Sequence, residues 1–211
     1  MKKIALLGAT GQTGQKFLDS ALAQGYQVKV LVRRANKLTQ NAPNLSVIEG
    51  DVLNPFDVYK LVRGVDVVVS LFGHVEGSPE WLQTDGTKNI VEAMKSNGVE
   101  KIISLSGGGL PFPEKDKPKF VDYLIRAIMK IAAPKILNDA IKHADLLKES
   151  GLKWIIVRGP RLTNDPRAGN YRVGWVGVNS STKIARADLA DFILTQVEDE
   201  RFNFQMPFVS N

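Results

Sequence analysis

The chain has 211 residues, of which 44% are apolar and 24% are charged. That length suits one soluble globular domain with a real core, since domains run to roughly 150 residues. The absence of cysteine excludes disulfides, thiolate nucleophiles and cysteine-ligated metal sites. A net charge of +6 favours anionic ligands in general. Because the charges alternate and form no basic arm, we expect no nucleic-acid partner.

Two apolar segments are too short to cross a membrane. Ile4–Leu7 is followed directly by glycine and is shorter than the core of a signal peptide. Leu124–Leu137 is interrupted by three cationic residues and a proline, and lacks the roughly 20 apolar residues of a span. We therefore expect no export signal, no membrane partner and a cytoplasmic location.

Short apolar runs alternate with amphipathic runs through the first hundred residues. In chain order they read KIALLG, TGQKFLDSALAQG, QVKVLV, LSVIEG, PFDVYKLVRG and VDVVVSLF. The alternation predicts parallel strands joined by helices. Continuous apolar character over Ile4–Leu7, Val65–Leu71 and Ile102–Leu105 is typical of strands covered on both faces. The glycines placed to end three of the helices are Gly25, Gly64 and Gly98.

The second half of the chain continues this pattern with longer loops. In order, the predicted elements are a helix from about Pro79 to Asn97, a strand Ile102–Ser106, helices Phe120–Ala132 and Pro134–Ser150, a strand Trp154–Val157, a short strand Tyr171–Val176, a helix Asp188–Val197 and a strand Met206–Val209. Together they predict one α/β domain over residues 1–211. Its fold is a doubly wound, mostly parallel sheet (a Rossmann fold) with helices on both faces and small C-terminal elements that cover the substrate. Residues 107–150 and 159–185 are expected to form the substrate side.

A glycine-rich segment joins the first predicted strand to the first predicted helix. It reads Gly8-Ala9-Thr10-Gly11-Gln12-Thr13-Gly14. At that position helix N–H groups and the positive end of the helix dipole suit a pyrophosphate. Gly8 would permit a tight turn, Gly11 close approach of phosphate, and Gly14 close packing of the helix on the strand. The alternative is a glycine-rich turn that binds no ligand.

Three later strand ends are expected to complete a nucleotide site. Val32-Arg33-Arg34 lies where an NAD-binding chain carries an acidic residue, and its two guanidiniums suit a 2′-phosphate unless they are only a solvated strand end. Asp51 would either accept from the adenine amine or cap the helix that begins near Pro55. Leu71-Phe72-Gly73 would lie over the ribose and pyrophosphate.

The proton-donating pair of ordinary short-chain dehydrogenases, Tyr-x-x-x-Lys, is missing. Four residues after the four tyrosines come Val30, Arg63, Ala127 and Trp175. Ordinary carbonyl–alcohol chemistry therefore lacks its acid. Lys142, with Asn138 four residues before it, is interpreted as an exposed helix lysine rather than a relic of that pair.

Three further polar residues receive sequence-based interpretations. His74 and His143 are the only histidines, and we interpret both as surface or loop residues that form no metal site. Ser106 ends the fifth strand, beside the expected nicotinamide pocket. It is a candidate catalytic or carboxamide-binding residue, or else a serine that satisfies the backbone at the turn.

Several segments together resemble the biliverdin-IXβ reductase/flavin reductase family of atypical short-chain reductases. They are GATGQTG at 8–14, VLVRR at 30–34, GDVL at 50–53, GTKNIVEAMKSNGVEK at 86–101, LLKESGLKW at 146–154 and GNYRV at 169–173. Where mammalian members place Cys-Thr-Ser-Ala after the fifth strand, this chain has Leu105-Ser106-Gly107-Gly108. The loop from Gly109 to Lys119 also departs from those members, so the resemblance supports the cofactor better than bilin as the acceptor.

The resemblance implies an NADPH site with named roles. The residues that would hold the phosphates are Gly8, Thr10, Gly11, Gln12, Thr13 and Gly14. Arg33 and Arg34 would take the 2′-phosphate, Asp51 and Val52 would flank the adenine, and Leu71, Phe72 and Gly73 would line the ribose side.

The predicted function is an NADPH-dependent reductase that transfers hydride to a flavin or a bilin-like planar acceptor. Such a transfer depends more on the relative orientation of the nicotinamide and the acceptor than on a dedicated acid. The residues that would stack on the acceptor, if they are not core, are Phe72, Phe112, Phe120 and Trp81. The alternative function is a redox-sensing regulator that binds NADP without turnover, and a third is epimerase chemistry, which the missing tyrosine disfavours.

Overall fold

The computed structural model describes residues 1–211 and contains ten strands and six helices. The strands are β1 (Lys3–Leu7), β2 (Gln27–Val32), β3 (Leu45–Glu49), β4 (Val67–Ser70), β5 (Lys101–Gly107), β6 (Lys153–Gly159), β7 (Arg161–Thr163), β8 (Arg172–Gly174), β9 (Lys183–Ala185) and β10 (Phe208–Ser210). The helices are α1 (Gln12–Ala23), α2 (Pro55–Val62), α3 (Leu82–Asn97), α4 (Phe120–Ala132), α5 (Pro134–Glu149) and α6 (Arg186–Thr195).

Eight of the strands form one sheet in the order β3-β2-β1-β4-β5-β6-β10-β8. All neighbours in it are parallel except β10 and β8, which are antiparallel. The strand order reverses direction between β1 and β4, and open α/β sheets bind ligands at the carboxyl edge of such a reversal. The predicted doubly wound fold is confirmed.

The two faces of the sheet carry separate apolar cores. Ile4 and Leu6 of β1 pack with α1 and α6, whereas Ala5 and Leu7 pack with α2, α3 and α5. Side chains alternate between the faces of a strand, so a strand covered on both faces is apolar throughout. This explains the continuous apolar runs of the central strands.

Each of the three predicted glycines follows the end of a helix. Gly25, Gly64 and Gly98 have φ of 85°, 74° and 67°, the left-handed conformation that lets the chain leave a helix without strain. The structure has no helix that is long and apolar enough to cross a membrane.

Several element boundaries differ from the predictions. The helix expected from Pro79 starts at Leu82, and that expected over Asp188–Val197 covers Arg186–Thr195. The strand expected over Tyr171–Val176 is only Arg172–Gly174, and the last strand begins at Phe208 rather than Met206. Pro207, which has no N–H to donate, separates Met206 from that strand. The small pair β7 and β9 was not predicted.

Candidate functional site

The glycine-rich loop between β1 and α1 is shaped by contacts that exclude side chains. Gly8 has φ of 84°, and a Cβ there would lie 2.5 Å from the carbonyl carbon of Leu71 on the neighbouring strand end. A Cβ on Gly14 would overlap the carbonyl oxygen of Gly8. At Gly11 a Cβ would meet only that same oxygen, at 3.3 Å. Gly8 and Gly14 are thus required by packing, whereas Gly11 leaves space above the loop.

The N-terminus of α1 carries no side chain that competes for an anion. Gly11 is the N-cap residue and supplies no capping oxygen, and the first turn has no acidic residue. The N–H groups of the first turn, from Gln12 to Gly14, lack intrahelical acceptors, as at any helix start. The helix therefore presents free donors and the positive end of its dipole, which fits a phosphate.

A cavity of about 310 Å³ opens beside this loop at the carboxyl edge of the sheet. We call it the first cavity. The predicted site residues that line it are Gly8, Thr10, Gly11, Arg33, Asp51, Val52, Leu71, Phe72 and Gly73. Those that do not are Gln12, Thr13, Gly14, Arg34 and Ser106. Four separate strand ends therefore converge on one site, and its residues fit a dinucleotide.

The two neighbouring arginines at the end of β2 differ in position. Both side chains are exposed, and neither guanidinium has a hydrogen bond or an ion pair within the chain. Only Arg33 lines the first cavity. The turn that follows is held by Glu49, whose carboxylate accepts from the Ala35 N–H at 3.1 Å. Arg33 is therefore the better placed of the two for a phosphate in this cavity.

Asp51 does not cap α2, so that alternative is wrong. The cap is Asn54, whose side-chain oxygen accepts from the Phe56 N–H at 3.0 Å. Asp51 instead accepts from the Leu53 N–H at 2.9 Å and lines the first cavity. Its position is compatible with contact to adenine, which stays a prediction.

Of the four aromatic residues expected to stack on an acceptor, Phe72 is the one that lines the first cavity. Its ring packs on α3 at Gly86, where a Cβ would come within 2.8 Å of Phe72 Cζ. Phe112 is buried against Trp175 at 5.7 Å between ring centroids, so it belongs to the core. Phe120 is 82% exposed on α4. The Trp81 ring is covered by the exposed Lys142, whose Nζ lies 3.7 Å from its centroid.

A second cavity, of about 360 Å³, lies at the ends of β5 and β6 beneath α4. Residues from both 107–150 and 159–185 line it. They are Gly107, Gly108, Gly109, Val121, Asp122, Ile125, Arg126, Met129, Gly159, Pro160, Arg161, Val176, Ser181 and Thr182, together with Phe208. A Cβ on Gly109 would lie 2.6 Å from the Met129 sulfur, so this glycine lets α4 approach the strand. The Arg161 side chain is exposed and has no ion pair within the chain.

The loop after β5 is anchored by a buried carboxylate. Asp116 receives two hydrogen bonds of 2.8 Å from the fully buried guanidinium of Arg158 on β6. It also accepts from Arg126 of α4 and from the N–H groups of Phe112 and Val176. Burial raises the pKa of Asp116, but the bonds from Arg158 and from the backbone outweigh it and leave the pKa below its usual value.

His143 is a core residue, so its interpretation as a surface residue is wrong. Its Nδ1 lies 2.8 Å from Thr87 Oγ1 and its Nε2 lies 3.0 Å from Ser104 Oγ. Burial lowers the pKa of His143 to about 4, so the ring is neutral. One ring nitrogen therefore donates and the other accepts, which satisfies both hydroxyl groups.

His74 also has a hydrogen-bond partner, Asp139 of α5. His74 Nε2 lies 2.7 Å from the Asp139 carboxylate, which also accepts from the Gln83 and Thr84 N–H groups. Asp139 thus caps α3, because Trp81, the N-cap residue of α3, makes no side-chain hydrogen bond there. Burial raises the pKa of Asp139, but the bonds from Thr84, Gln83 and His74 outweigh it and lower that pKa.

Sequence reasoning missed this polar network, although one signal was present. Asp139 and His143 are four residues apart on α5 and therefore lie on the same face of that helix. Both are buried, and buried polar groups on one face require partners. The structure contains no cluster of three or more side chains arranged to hold a metal ion.

Ser106 lines neither cavity, although the adjacent Gly107 lines the second. Its side chain is buried, and its hydroxyl oxygen has no hydrogen-bond partner within the chain. The alternative in which Ser106 satisfies the backbone at the turn is therefore wrong. A buried hydroxyl without a partner is uncommon, and its role as a catalytic or carboxamide-binding group stays a prediction.

Residues 8–200 match a family described as NAD(P)H-binding. An uncharacterized chloroplastic protein of Arabidopsis thaliana, At2g34460, is 29% identical over 181 residues, which cover 80% of this chain and 62% of that protein. The chain thus spans less than two thirds of that relative. The uncharacterized protein YwnB of Bacillus subtilis is 26% identical over 220 residues, covering 95% of this chain and 96% of YwnB.

Solved structures of short-chain dehydrogenases/reductases have the same fold. One from Veillonella parvula in complex with NADP has a TM-score of 0.82 at 21% identity, covering 100% of this chain and 95% of that one. ChuY, an anaerobilin reductase from Escherichia coli O157:H7, has a TM-score of 0.79 at 19% identity, covering 99% and 96%. The family match confirms the predicted NAD(P)H binding, and the likeness to these structures confirms the predicted fold.

Proposed function

Because this chain belongs to the NAD(P)H-binding family, we propose that it is an NADPH-dependent oxidoreductase whose hydride acceptor is planar and conjugated, of the flavin or bilin type. NADPH would occupy the first cavity, with its pyrophosphate at the N-terminus of α1 and its 2′-phosphate at Arg33. The acceptor would occupy the second cavity. Ser106 at the end of β5 would contact the nicotinamide carboxamide.

The observation that carries the proposal is the second cavity. Its walls are largely apolar, from Val121, Ile125 and Met129 of α4 to Phe208 of β10. Arg161, which has no partner in the chain, stands at its edge. A flat apolar ligand with an acidic substituent fits such walls, since burial of the rings supplies affinity and the guanidinium selects the acid. Flavin mononucleotide and bilins both combine these features.

The side chains around these cavities favour orientation over proton transfer. Bound NADPH supplies the hydride. Phe72 and Gly8 shape the wall of the first cavity, and Gly108 and Gly109 bring the end of β5 close to the second. No Tyr-x-x-x-Lys pair is present, and reduction of an electron-poor ring takes its proton from water. ChuY, whose fold is the same, is itself a bilin reductase, which supports this class of acceptor.

The test is the rate of NADPH oxidation with riboflavin, FMN, FAD or biliverdin as acceptor, beside a titration of NADP⁺ binding. We expect turnover, and Arg161→Gln should raise KM for FMN roughly tenfold while leaving KM for riboflavin, which has no phosphate, unchanged. The matched control is Arg172→Gln, since Arg172 is exposed and lines neither cavity.

Two results would overturn this assignment. Tight NADP⁺ binding without turnover above the uncatalysed rate would favour the redox-sensing regulator. Equal effects of Arg161→Gln on FMN and riboflavin would mean that the second cavity does not hold the acidic end of the acceptor.

A further inference from the structure

Helix α4 presents an apolar stripe to solvent, while the side that faces the protein carries both polar and apolar residues. No residue of this 13-residue helix is buried. The half-buried positions that face the body are Asp122, Arg126 and Met129. Phe120 and Ile131, on the opposite side, are 82% and 84% exposed. An amphipathic helix normally buries its apolar residues, so an exposed apolar stripe along the whole helix is unusual.

We define the α4 outer face as Phe120, Leu124, Ile128 and Ile131. These four are spaced at three- and four-residue intervals, so they form one stripe along the helix, and each is more than half exposed. One polar bond and one apolar contact hold α4 in this orientation. Arg126 donates to Asp116 at 3.1 Å, and Met129 lies against Gly109, where a Cβ would come within 2.6 Å of its sulfur.

The charges beside this stripe are mainly positive. Five exposed lysines flank it, Lys115, Lys117 and Lys119 before the helix and Lys130 and Lys135 at its far end. Lys135 pairs with Glu80 at 3.7 Å, and across residues 113–136 the only exposed acidic residue is Glu114. The α4 outer face is therefore a convex apolar stripe with positive charge at each end.

We infer that the α4 outer face docks on the surface of an anionic lipid bilayer. A helix lying in the interface buries its apolar stripe among the acyl chains while lysines at its borders reach the headgroups. Each lysine near an anionic surface adds to the attraction. A second copy of the chain fits less well, because pairing two such faces brings the lysines of one against those of the other. A convex stripe also offers no groove for the side chains of a protein partner.

The inference departs from the sequence-based expectation of no membrane partner, which considered only segments that cross a bilayer. A helix of 13 residues is about 20 Å long and lies on the surface rather than spanning it. The inference is independent of the proposed reaction, because the α4 outer face lines neither cavity.

The test is flotation of the full chain with vesicles of phosphatidylcholine alone or of phosphatidylcholine mixed with phosphatidylglycerol. We expect binding to the anionic vesicles that added salt weakens. The double variant Ile128→Glu/Ile131→Glu should weaken it at least about tenfold, since two apolar side chains leave the bilayer. Lys130→Glu should weaken it mainly at low salt. NADPH affinity of every variant should equal that of the wild type, which shows that each is folded.

The matched control is Phe56→Glu, which also exchanges an exposed apolar side chain, 64% exposed on α2, for a carboxylate. It should bind vesicles as the wild type does. Absence of binding to anionic vesicles, equal binding to neutral vesicles, or unchanged binding by the double variant would each overturn the inference. So would sedimentation showing a lipid-free dimer that the double variant dissociates, because the occupant would then be a second copy.

Discussion

Arg158 and Asp116 are joined by a two-point ion pair in the interior of the protein, with both hydrogen bonds at 2.8 Å. Arg158 is on β6, whereas Asp116 is in the loop after β5. The same carboxylate also binds Arg126 of α4 and the N–H of Val176. The Asp116 side chain therefore links α4 and the loops around the second cavity to the central sheet.

The first prediction concerns this ion pair. Asp116→Ala should lower the free energy of unfolding by about 3–5 kcal/mol, because it leaves the Arg158 guanidinium buried without its counter-charge. Denaturant unfolding measures the loss. The double variant Asp116→Ala/Arg158→Met should recover part of it, since no unpaired charge remains. If the single variant were as stable as the wild type, the pair would not anchor the loop.

The second prediction separates the roles of two glycines in the loop after β1. Gly11→Val should fold normally, because its extended backbone accepts a side chain, but should bind NADPH at least about tenfold more weakly, because the branched group fills the phosphate space. Gly14→Ala should instead lower stability, since its Cβ would overlap the Gly8 carbonyl. Thermal melts and NADPH titrations of both variants decide this. Normal NADPH binding by Gly11→Val would reduce the loop to a simple turn.

The third prediction concerns the choice between NADPH and NADH. The wild type should prefer NADPH. Arg33→Ala should reduce the ratio of NADPH affinity to NADH affinity at least about tenfold, as expected for the loss of a charge-assisted bond. Arg34→Ala is the matched control and should have the smaller effect, since Arg34 does not line the first cavity. Dissociation constants for both cofactors in moderate salt test it. Equal affinity of the wild type for NADH would refute the assignment.

The fourth prediction is a pH dependence from His143. Its pKa is about 4 in the folded chain, against 6.5 when unfolded, so the unfolded state binds the extra proton first as pH falls. Stability should therefore decline between pH 6.5 and pH 4, by up to about 3 kcal/mol. His143→Gln should flatten this slope while costing stability at pH 7. An unchanged slope in the variant would show that another group is responsible.

The fifth prediction concerns the proton. If the acceptor is a flavin, then Ser106→Ala, Tyr123→Phe, Lys142→Met and His74→Gln should each lower kcat less than tenfold, well short of the roughly 10²–10⁴ lost with a general acid. His74 is included because it lies between Gly73 and Val75, which both line the first cavity. Loss of turnover in one variant with NADPH affinity intact would identify a dedicated donor.

The fold and the phosphate loop were predictable because their determinants are local. Strand and helix periods, and glycines at turns, are properties of neighbouring residues. The first cavity followed from the rule that strand ends meet at one edge, which placed Arg33, Asp51 and Phe72 together. The polar interior was not predictable in this way. Pairs such as Asp116 with Arg158 join residues distant in sequence, and charged residues are usually exposed, so no local pattern indicates that these two are buried together.

The orientation of α4 was likewise not predictable from the local sequence. Its sequence has a clear apolar stripe, and the usual rule would bury that stripe in the core. The partner it requires is absent from the rest of the chain. No periodicity within α4 distinguishes a helix that packs inward from one that faces outward.

The three tryptophans occupy three different regions of the molecule. Trp81 lies under Lys142 at the start of α3, Trp175 packs on Phe112 in the loops by the second cavity, and Trp154 is in the core, edge-on to Phe204. The intrinsic fluorescence of the protein is therefore the sum of the emission of three tryptophans in three different surroundings. A variant that keeps only one tryptophan would report, by emission wavelength and quenching, on the start of α3, on the loops by the second cavity or on the core, without any attached label.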